Sequence, residues 1–221
     1  MPERLKAPRL AKPKHAAIVV AHPDDEILWA GGAILSRSDS NWFVATLCRA
    51  NDPDRAPKFS RVLDDIGATG TMADLDDEPD QRPLDDGDVQ ETILSLIAGR
   101  AFDLVLTHGP KGEYTRHRRH EETCRAVVAL WAGGRLSANA LWMFAYEDGG
   151  KAYPPRPCDD AHRREDLAEP VWGTKHRLIT EVYGFGPDSW EATIAPRTEA
   201  FWCFDSAVAA QEWVDQRGAE R

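Results

Sequence analysis

One stretch of the sequence, HPDDE at 22–26, places a histidine and three carboxylic acids directly after an apolar run. Within it, His22 and Asp25 form a His-x-x-Asp pair, and Asp24 is a further carboxylate beside that pair. Imidazole and carboxylate groups are common zinc ligands, and a free carboxylate next to a metal can accept a proton. Glu26 is expected to cap the next helix or to orient a neighbour. The alternative for the whole stretch is a solvated turn, because acidic residues favour helix N-termini.

A second polar cluster, THGPKGEYTRHRRHEE at 107–122, contains three further histidines. His117 lies three residues before His120, so the two share a face if this segment is helical. A distant histidine added to the His-x-x-Asp pair would complete the three protein ligands of a catalytic zinc site, which leaves a fourth position for water. Such an ion lowers the pKa of its water to ~7, so hydroxide is available at neutral pH. Taken alone, HRRH would be a solvated helix start, and His108 would be either a satisfied buried histidine or a partner of a metal ligand.

The elements around the two clusters predict that they meet. An apolar run at 16–21 precedes the first cluster and another at 102–108 precedes the second, and both are typical of strands buried on two faces. The remaining predicted strands are 41–50, 69–75 and 140–147, and the predicted helices are 25–37, 54–68, 89–100 and 119–133. This alternation predicts an α/β fold with a mostly parallel sheet and helices on both faces. Ligands bind beyond the carboxyl ends of such strands, so both clusters are expected at one edge of the sheet.

The pattern along the chain predicts one domain preceded by a short lead. Residues 1–15 are basic and lack the apolar segment of a secretory signal, which indicates a flexible N-terminal lead. Residues 16–221 then form a single domain that is long enough to bury a core. A stretch rich in proline and charge indicates a long loop or lid around 148–172, followed by a helix at 175–185 and a closing strand at 199–204.

Composition argues against several classes of protein. The net charge of −10 disfavours a nucleic-acid-binding surface, which is normally basic. No apolar run approaches the length of a membrane span. No G-x-G-x-x-G follows the first strand, and acids stand where a dinucleotide phosphate would lie. The four cysteines contain no C-x-x-C pair, which suits reduced thiols and a cytoplasmic location; they are Cys48, Cys124, Cys158 and Cys203.

The stretch AHPDDEILWAGGAI at 21–34 resembles the opening of the PIG-L/LmbE-like family of zinc-dependent N-acetylglucosaminyl deacetylases, and GEYTRHRRH at 112–120 is similar to that family's G-E-Y-G-H-x-x-H region. The resemblance covers roughly residues 16–147. It implies a Rossmann-like fold and an enzyme that removes an acyl group, usually acetyl, from an amino sugar or its conjugate.

The resemblance also implies roles for individual residues. Carried onto this sequence, it makes His22, Asp25 and His120 the zinc ligands. Asp24 becomes the general base that activates water, and His117 polarises or protonates the tetrahedral intermediate. Ferrous iron is the alternative ion, because a His₂-Asp set binds either metal.

Two further positions follow the family pattern more loosely. Tyr114 is expected to donate to the developing oxyanion, although YTRH has one residue more than the family's Tyr-Gly-His. Arg55 is the best match to the family's substrate-binding arginine at the start of the second helix, and Arg61 is the second. Arg118 and Arg119 would favour an anionic substrate if they faced the site, and exposed side chains are the alternative.

The predicted function is a cytoplasmic zinc-dependent hydrolase that removes an N-acyl group from an amino sugar or small glycoconjugate. One alternative is a metal-dependent amidohydrolase acting on a non-sugar secondary metabolite, because residues 150–195 do not resemble the family. A second alternative is a non-catalytic metal- or sugar-binding protein, against which the free carboxylate of Asp24 argues. Four aromatic residues in the unmatched part would form either core or a sugar-stacking wall; they are Trp172, Tyr183, Phe185 and Trp190.

Overall fold

The computed structural model describes residues 12–115 and 117–219, so most of the predicted N-terminal lead lies outside the described residues. The strands, in chain order, are β1 (His15–Val20), β2 (Asn41–Thr46), β3 (Thr69–Met72), β4 (Ala101–Phe102), β5 (Leu104–Thr107), β6 (Ser137–Ala138), β7 (Leu141–Phe144), β8 (Tyr146–Glu147), β9 (Arg156–Pro157), β10 (Arg163–Asp166) and β11 (Thr198–Phe204). The α-helices are α1 (Asp25–Leu35), α2 (Arg55–Ile66), α3 (Asp86–Ile97), α4 (Arg118–Ala132), α5 (Glu169–Arg177), α6 (Trp190–Ile194) and α7 (Ala207–Ala219), and a π-helical segment spans Leu178–Val182.

A seven-stranded sheet with the order β10-β11-β7-β5-β1-β2-β3 forms the centre of the molecule. The five strands from β7 to β3 are parallel, and Ile18 at the middle of β1 pairs with Val44 on one side and Leu106 on the other. Strands β10 and β11 join antiparallel at one end. The predicted α/β fold with a mostly parallel sheet is therefore confirmed. The chain leaves β1 towards β2 and returns to β5 on its other side, so the switch point between β1 and β5 opens a crevice at their carboxyl ends.

Helices cover both faces of the sheet because the strands carry apolar side chains on both. Ile18 and Val20 of β1 face a core that includes side chains of α1, α2 and the π-helical segment. Ala17 and Val19 face a second core that includes side chains of α3, α4 and α7. Such continuous burial explains why β1 is an unbroken apolar run.

The paired glycines of α1 allow a close approach to the strand that closes the sheet. A Cβ atom on Gly32 would lie 2.3 Å from Leu167 Cδ2 and 3.0 Å from the carboxyl carbon of Glu199, so a larger residue would require these side chains to shift. The buried Glu199 carboxylate of β11 accepts hydrogen bonds from the Gly32 and Ala33 N–H groups, both at 2.7 Å. Lys175 Nζ lies 2.7 Å from the same carboxylate and is also fully buried. This ion pair joins α1 to the C-terminal part of the chain.

The C-terminal part contains more regular structure than the sequence predicts. The segment 148–172, predicted as a long loop or lid, contains β9, β10 and the start of α5. Strand β10 is Arg-Arg-Glu-Asp at the sheet edge, and its charged composition carries no alternating apolar signal. Helix α7 was not predicted, since it buries little beyond Ala210 and Val214.

Among the described residues, no helix combines the length and the apolar composition needed to cross a membrane.

Candidate active site

Three side chains of the predicted metal set converge in the crevice beyond β1 and β5. His22 follows β1, Asp25 is the first residue of α1, and His120 lies in the first turn of α4. The distances are 3.2 Å from His22 Nδ1 to Asp25 Oδ2, 3.3 Å from His22 Nδ1 to His120 Nε2, and 3.4 Å from His120 Nε2 to Asp25 Oδ2. Ligand atoms about 2.0–2.1 Å from a tetrahedral ion lie roughly 3.3–3.4 Å apart. This ligand triangle therefore has the size that one zinc-like ion requires.

A buried carboxylate holds His120 in the tautomer that a metal needs. Glu113 accepts a hydrogen bond from His120 Nδ1 at 2.6 Å, which leaves the Nε2 lone pair for the ligand triangle. The same oxygen lies 2.9 Å from His108 Nδ1, and the Gly109 N–H donates to the other oxygen at 2.9 Å. Burial raises the pKa of Glu113, but the two imidazoles outweigh it and bring this pKa down to about 2. The Ala21 N–H donates to His108 Nε2 at 3.0 Å, so His108 supports the site and has no lone pair left for a metal.

His22 is held in the same way by an acid from the acidic loop, residues 76–82. Asp77 Oδ1 lies 3.3 Å from His22 Nε2, the ring nitrogen opposite the one in the ligand triangle. Arg49 Nε and Nη2 donate to the other oxygen of Asp77 at 3.0 and 2.5 Å. Burial raises the pKa of Asp77, but His22 and Arg49 outweigh burial and hold it well below its ordinary value. A carboxylate in this position sets the tautomer of a ligand imidazole and raises its basicity.

His117 lies beside the ligand triangle with one ring nitrogen unpaired. Its ring stacks on His120 at 4.1 Å between centroids and meets His22 edge-on at 4.8 Å. Gln81 Nε2 lies 3.2 Å from Asp77 Oδ1 and 3.4 Å from His117 Nε2, so an amide N–H points at that ring nitrogen and the ring proton belongs on Nδ1. His117 Nδ1 is buried and has no hydrogen-bond partner among the described residues. Burial and the neighbouring imidazoles lower the pKa of His117 to about 3, so the ring is neutral with a spare N–H.

Asp24 occupies a strained backbone position beside the ligand triangle. Its φ is 120° and its ψ is −33°, a conformation that L-residues rarely adopt. Its N–H donates to Glu26 Oε2 at 2.9 Å, and the other oxygen of Glu26 accepts the Tyr183 hydroxyl at 2.5 Å. Both partners are buried, and together they hold the Asp24 peptide in place. The expectation that Glu26 orients a neighbour agrees with these contacts.

Arg55, the predicted substrate-binding arginine, contacts the predicted base. It begins α2, and its Nη1 donates to Asp24 Oδ2 at 2.5 Å. Its guanidinium lies 4.6 Å from the centroid of the Phe185 ring, which fixes it from the other side. Burial and the charge of Asp25 raise the pKa of Asp24 to about 7, against the opposing charge of Arg55. Arg61, the second candidate, is exposed on α2.

A cleft of about 330 Å³ opens onto His22 and Asp25 of the ligand triangle. Its polar lining, apart from the metal set and the predicted base, comprises Arg49, Asp52, Arg55, Asp77, His117 and Glu191. Tyr114 also lines it, with its ring 5.5 Å from that of His120 and 5.6 Å from that of His117. The extra residue in YTRH thus still brings this ring to the site. Burial raises the pKa of Tyr114, so its hydroxyl stays a hydrogen-bond donor.

The two arginines between the histidines have separate environments. Arg118 is exposed. Arg119 is buried, with its Nη1 2.6 Å from a Glu122 oxygen, and it donates to the backbone carbonyls of Asp76 and Arg82 at 2.5 and 2.9 Å. Arg119 neither faces the site nor is exposed, so both predictions for this residue are wrong. Its side chain instead anchors the acidic loop to α4.

The aromatic residues of the C-terminal part also have different roles. Trp190 lines the cleft and packs edge-on against Tyr114 at 4.6 Å. Phe185 packs against the guanidinium of Arg55, and Tyr183 contacts Glu26. Trp172 lies under the guanidinium of Arg197 at 3.6 Å and does not line the cleft. The sugar-stacking prediction is therefore narrowed to Trp190.

Sequence reasoning missed Asp77 and Gln81 as supports of the two histidines, because nothing local distinguishes them from the other polar residues of the acidic loop. The role of Glu113 had a signal, since it lies in the quoted GEY block, but its bond to His120 required the fold.

A candidate His₂-Asp donor set beside a further carboxylate, at the switch point of a parallel sheet, is an arrangement typical of metal-dependent hydrolases. The sequence profile of the PIG-L family, described as GlcNAc-PI de-N-acetylase, matches residues 17–131, which is more than half of the chain. The chain belongs to the PIG-L family, as the resemblance implied. It is accordingly a metal-dependent N-deacetylase of the kind that acts on amino sugars or glycoconjugates.

Solved structures agree with this fold. N,N'-diacetylchitobiose deacetylase from Pyrococcus horikoshii superposes with a TM-score of 0.64 at 15% identity, over 87% of this chain and 84% of that one. Teicoplanin deacetylase Orf2, in a zinc-inhibited form, superposes with a TM-score of 0.62 at 14% identity, over 86% and 97%. GalB, the 4-carboxy-2-hydroxymuconate hydratase from Pseudomonas putida KT2440, gives 0.59 at 18% identity, over 81% and 82%. At these identities the likeness shows the fold alone.

Proposed function

We propose that this protein is a zinc-dependent hydrolase that removes an N-acyl group, in the simplest case acetyl, from an amino sugar or a small glycoconjugate. The observation that carries the proposal is the ligand triangle of His22, Asp25 and His120 with Asp24 beside it. Zinc suits this donor set because two imidazoles and one carboxylate leave a fourth tetrahedral position open. Ferrous iron is the alternative ion for the same ligands.

In this proposal Asp24 is the general base. Zinc, when bound, supplies Lewis-acid polarisation of the amide carbonyl and acidifies water to a pKa of ~7. Arg55 occupies Oδ2 of Asp24, so Oδ1 takes the proton from the attacking water. A pKa of about 7 suits this task, because the carboxylate can accept a proton and then return it to the leaving amine.

His117 and Tyr114 are proposed to stabilise the charge that develops on the carbonyl oxygen. The unpaired Nδ1–H of a neutral His117 can donate to that oxygen without first gaining a proton. Gln81 favours this tautomer by donating to Nε2. The hydroxyl of Tyr114, whose ring borders the same cleft, is the second donor.

The sugar is proposed to occupy the polar part of the cleft. Arg55 uses Nη1 for Asp24 and offers its other N–H groups to substrate hydroxyls, and Arg49 and Asp52 line the same wall. A non-sugar amide that lacks hydroxyl groups would not use the hydrogen-bonding capacity that these side chains have left beyond their internal pairs. We place the protein in the cytoplasm, since its four cysteines are buried free thiols.

Elemental analysis of the purified protein beside its His120→Ala variant tests the metal site first. About one equivalent of metal is expected in the wild type, with most of it lost from the variant. Equal metal in both proteins, after loading with zinc, would contradict the proposed ligands. Loading with zinc and with ferrous iron under anaerobic conditions, followed by activity assays, decides between the two ions.

The Asp24→Asn variant then separates catalysis from binding. We expect it to retain its metal and to lose turnover of an N-acetylglucosamine glycoside by about 10²–10⁴-fold, the usual share of a general base. A panel of N-acetylated sugars and non-sugar amides, assayed by amine release, decides the substrate class. A zinc-loaded wild type that turns over none of them, while still binding sugars, would favour a binding protein.

A further inference from the structure

We propose that a groove beside the active-site cleft binds an apolar aglycone carried by the amino-sugar substrate, an inference that rests on the proposed function. The groove has a volume of about 680 Å³ and lies between α6 and the loop 151–155. It shares Tyr114, Trp190 and Glu191 with the cleft, so the two spaces lie next to each other on either side of these side chains. This volume falls in the range of ligand-binding sites, about 300–1,000 Å³.

One wall of the groove is the apolar face of α6. Trp190 and Ile194 lie one helical turn apart and therefore on the same side of this helix. Ser189 caps the helix by accepting the Ala192 N–H at 3.1 Å, which sets the position of the first turn. Trp190 is 43% exposed and is one of two large apolar side chains exposed in the described part of the chain. A ligand in the groove would cover this exposed indole surface.

The opposite wall is an aromatic and proline-rich loop held in a fixed shape. Tyr153, followed by two prolines, has the guanidinium of Arg156 4.0 Å from its ring centroid, and its hydroxyl donates to Glu147 at 2.8 Å. Gly149 lies so close that a Cβ there would be 2.4 Å from Tyr153 Cε1. A ring anchored at three points loses little conformational freedom when a ligand binds.

The linings of the cleft and the groove indicate which part of the substrate each of them binds. The cleft carries arginines and acids next to the ligand triangle, which suits a hydroxylated ring with its amide at the metal. The groove lacks every member of the ligand triangle and is walled mainly by indole, phenol, proline and isoleucine side chains, with Asp148, Lys151 and Glu191 as its charged lining residues. Asp148, one of its few charged groups, is already bonded to the Thr115 N–H and hydroxyl at 2.7 and 2.5 Å. An apolar group on the sugar that leaves the cleft past Trp190 would enter this groove.

Aryl glycosides test the inference directly. The zinc-loaded enzyme is assayed with methyl and phenyl glycosides of N-acetylglucosamine, each as both anomers. We expect kcat/KM to be roughly tenfold higher for the phenyl than for the methyl glycoside of one anomer, the scale of partly burying a benzene ring. Binding energy from this remote group can also raise kcat.

Variants of the groove should remove the preference. In Trp190→Ala and in Tyr153→Ala the phenyl-to-methyl ratio is expected to fall to about 1–2, because the apolar contact area is lost. Val208→Ala is the matched control, because Val208 is the second exposed apolar side chain and lies on α7, away from the groove lining. This variant should keep the wild-type ratio. The ratio is insensitive to a general loss of active protein, so a poorly folded variant cannot imitate the result.

The outcomes separate this inference from the proposed function. Equal rates with phenyl and methyl glycosides would overturn the groove while leaving the deacetylase intact. A rate that rises with the length of the N-acyl group, from acetyl to hexanoyl, and not with the aglycone would assign the groove to the acyl chain instead. Turnover of no amino sugar would contradict the proposed function. In that case calorimetric titration of the same glycosides into the zinc-loaded protein tests whether the groove binds an apolar aglycone. Equal affinity for the phenyl and methyl glycosides, or no binding of either, would refute this role.

Discussion

The strongest test of the site is the loop carboxylate that supports a proposed ligand, Asp77. Its Oδ1 lies 3.3 Å from His22 Nε2, and both side chains are largely buried, with exposures of 8% and 14%. Supports of this kind change metal affinity by about 10–100-fold, or roughly 1.4–2.8 kcal/mol. We expect Asp77→Asn to weaken zinc binding about tenfold, because the amide still accepts from His22 but without the charge. Asp77→Ala, which removes the acceptor, should approach the 100-fold end of that range.

The assay is competition for zinc against a chromophoric chelator, with circular dichroism to verify that each variant is folded. Asp80→Asn is the matched control, since Asp80 lies in the same loop, is exposed and pairs with Arg82. Its zinc affinity should equal that of the wild type. Arg49 is 44% exposed and its Nη1 also lies 3.8 Å from Asp52 Oδ2, so it stays solvated after the substitutions and a large loss of stability is not expected. Wild-type affinity in both Asp77 variants would refute the role of this carboxylate.

Two predictions concern the stability of the fold. Gly70→Ala would place Cβ 2.5 Å from the backbone oxygen of Val44, so the free energy of unfolding should fall by about 1–3 kcal/mol. In Gly173→Ala, within α5, the new Cβ has no atom within 4 Å, so the free energy of unfolding should rise by about 0.5–1 kcal/mol. Urea midpoints that move in the same direction for both would contradict this reasoning. Lys175→Met leaves the buried carboxylate of Glu199 without its cationic partner and should lower the free energy of unfolding by about 3–5 kcal/mol. Adding Glu199→Gln should recover part of that loss, and an unchanged midpoint in the single variant would show that the pair is not essential.

Much of the central fold was readable from the sequence because it is encoded locally. The apolar run of β1 and the alternation of strands and helices predict a mostly parallel sheet, and strand ends in such a sheet share one edge. The His-x-x-Asp spacing likewise brings His22 and Asp25 together within one turn of chain, where their side chains lie 3.2 Å apart. That HPDDE and HRRH meet follows from the strands that precede them. The assignment of individual catalytic roles stays a prediction.

The supports of the site depended on contacts between distant segments, which no local pattern encodes. The acidic loop contains several acids, and Asp77 meets His22 because Arg119 anchors this loop and Arg49 binds the Asp77 carboxylate. The hydroxyl of Tyr183 reaches Glu26 from 157 positions away, through a π-helical segment without a recognisable signal. The spacing of polar residues and the period of apolar residues reflect the hydrogen bonding and burial of a single helix or strand. The sequence by itself therefore determined the helices and strands and the residue types of the site. Which side chains face each other across elements depends on how whole surfaces pack, and that was decided by the tertiary structure alone.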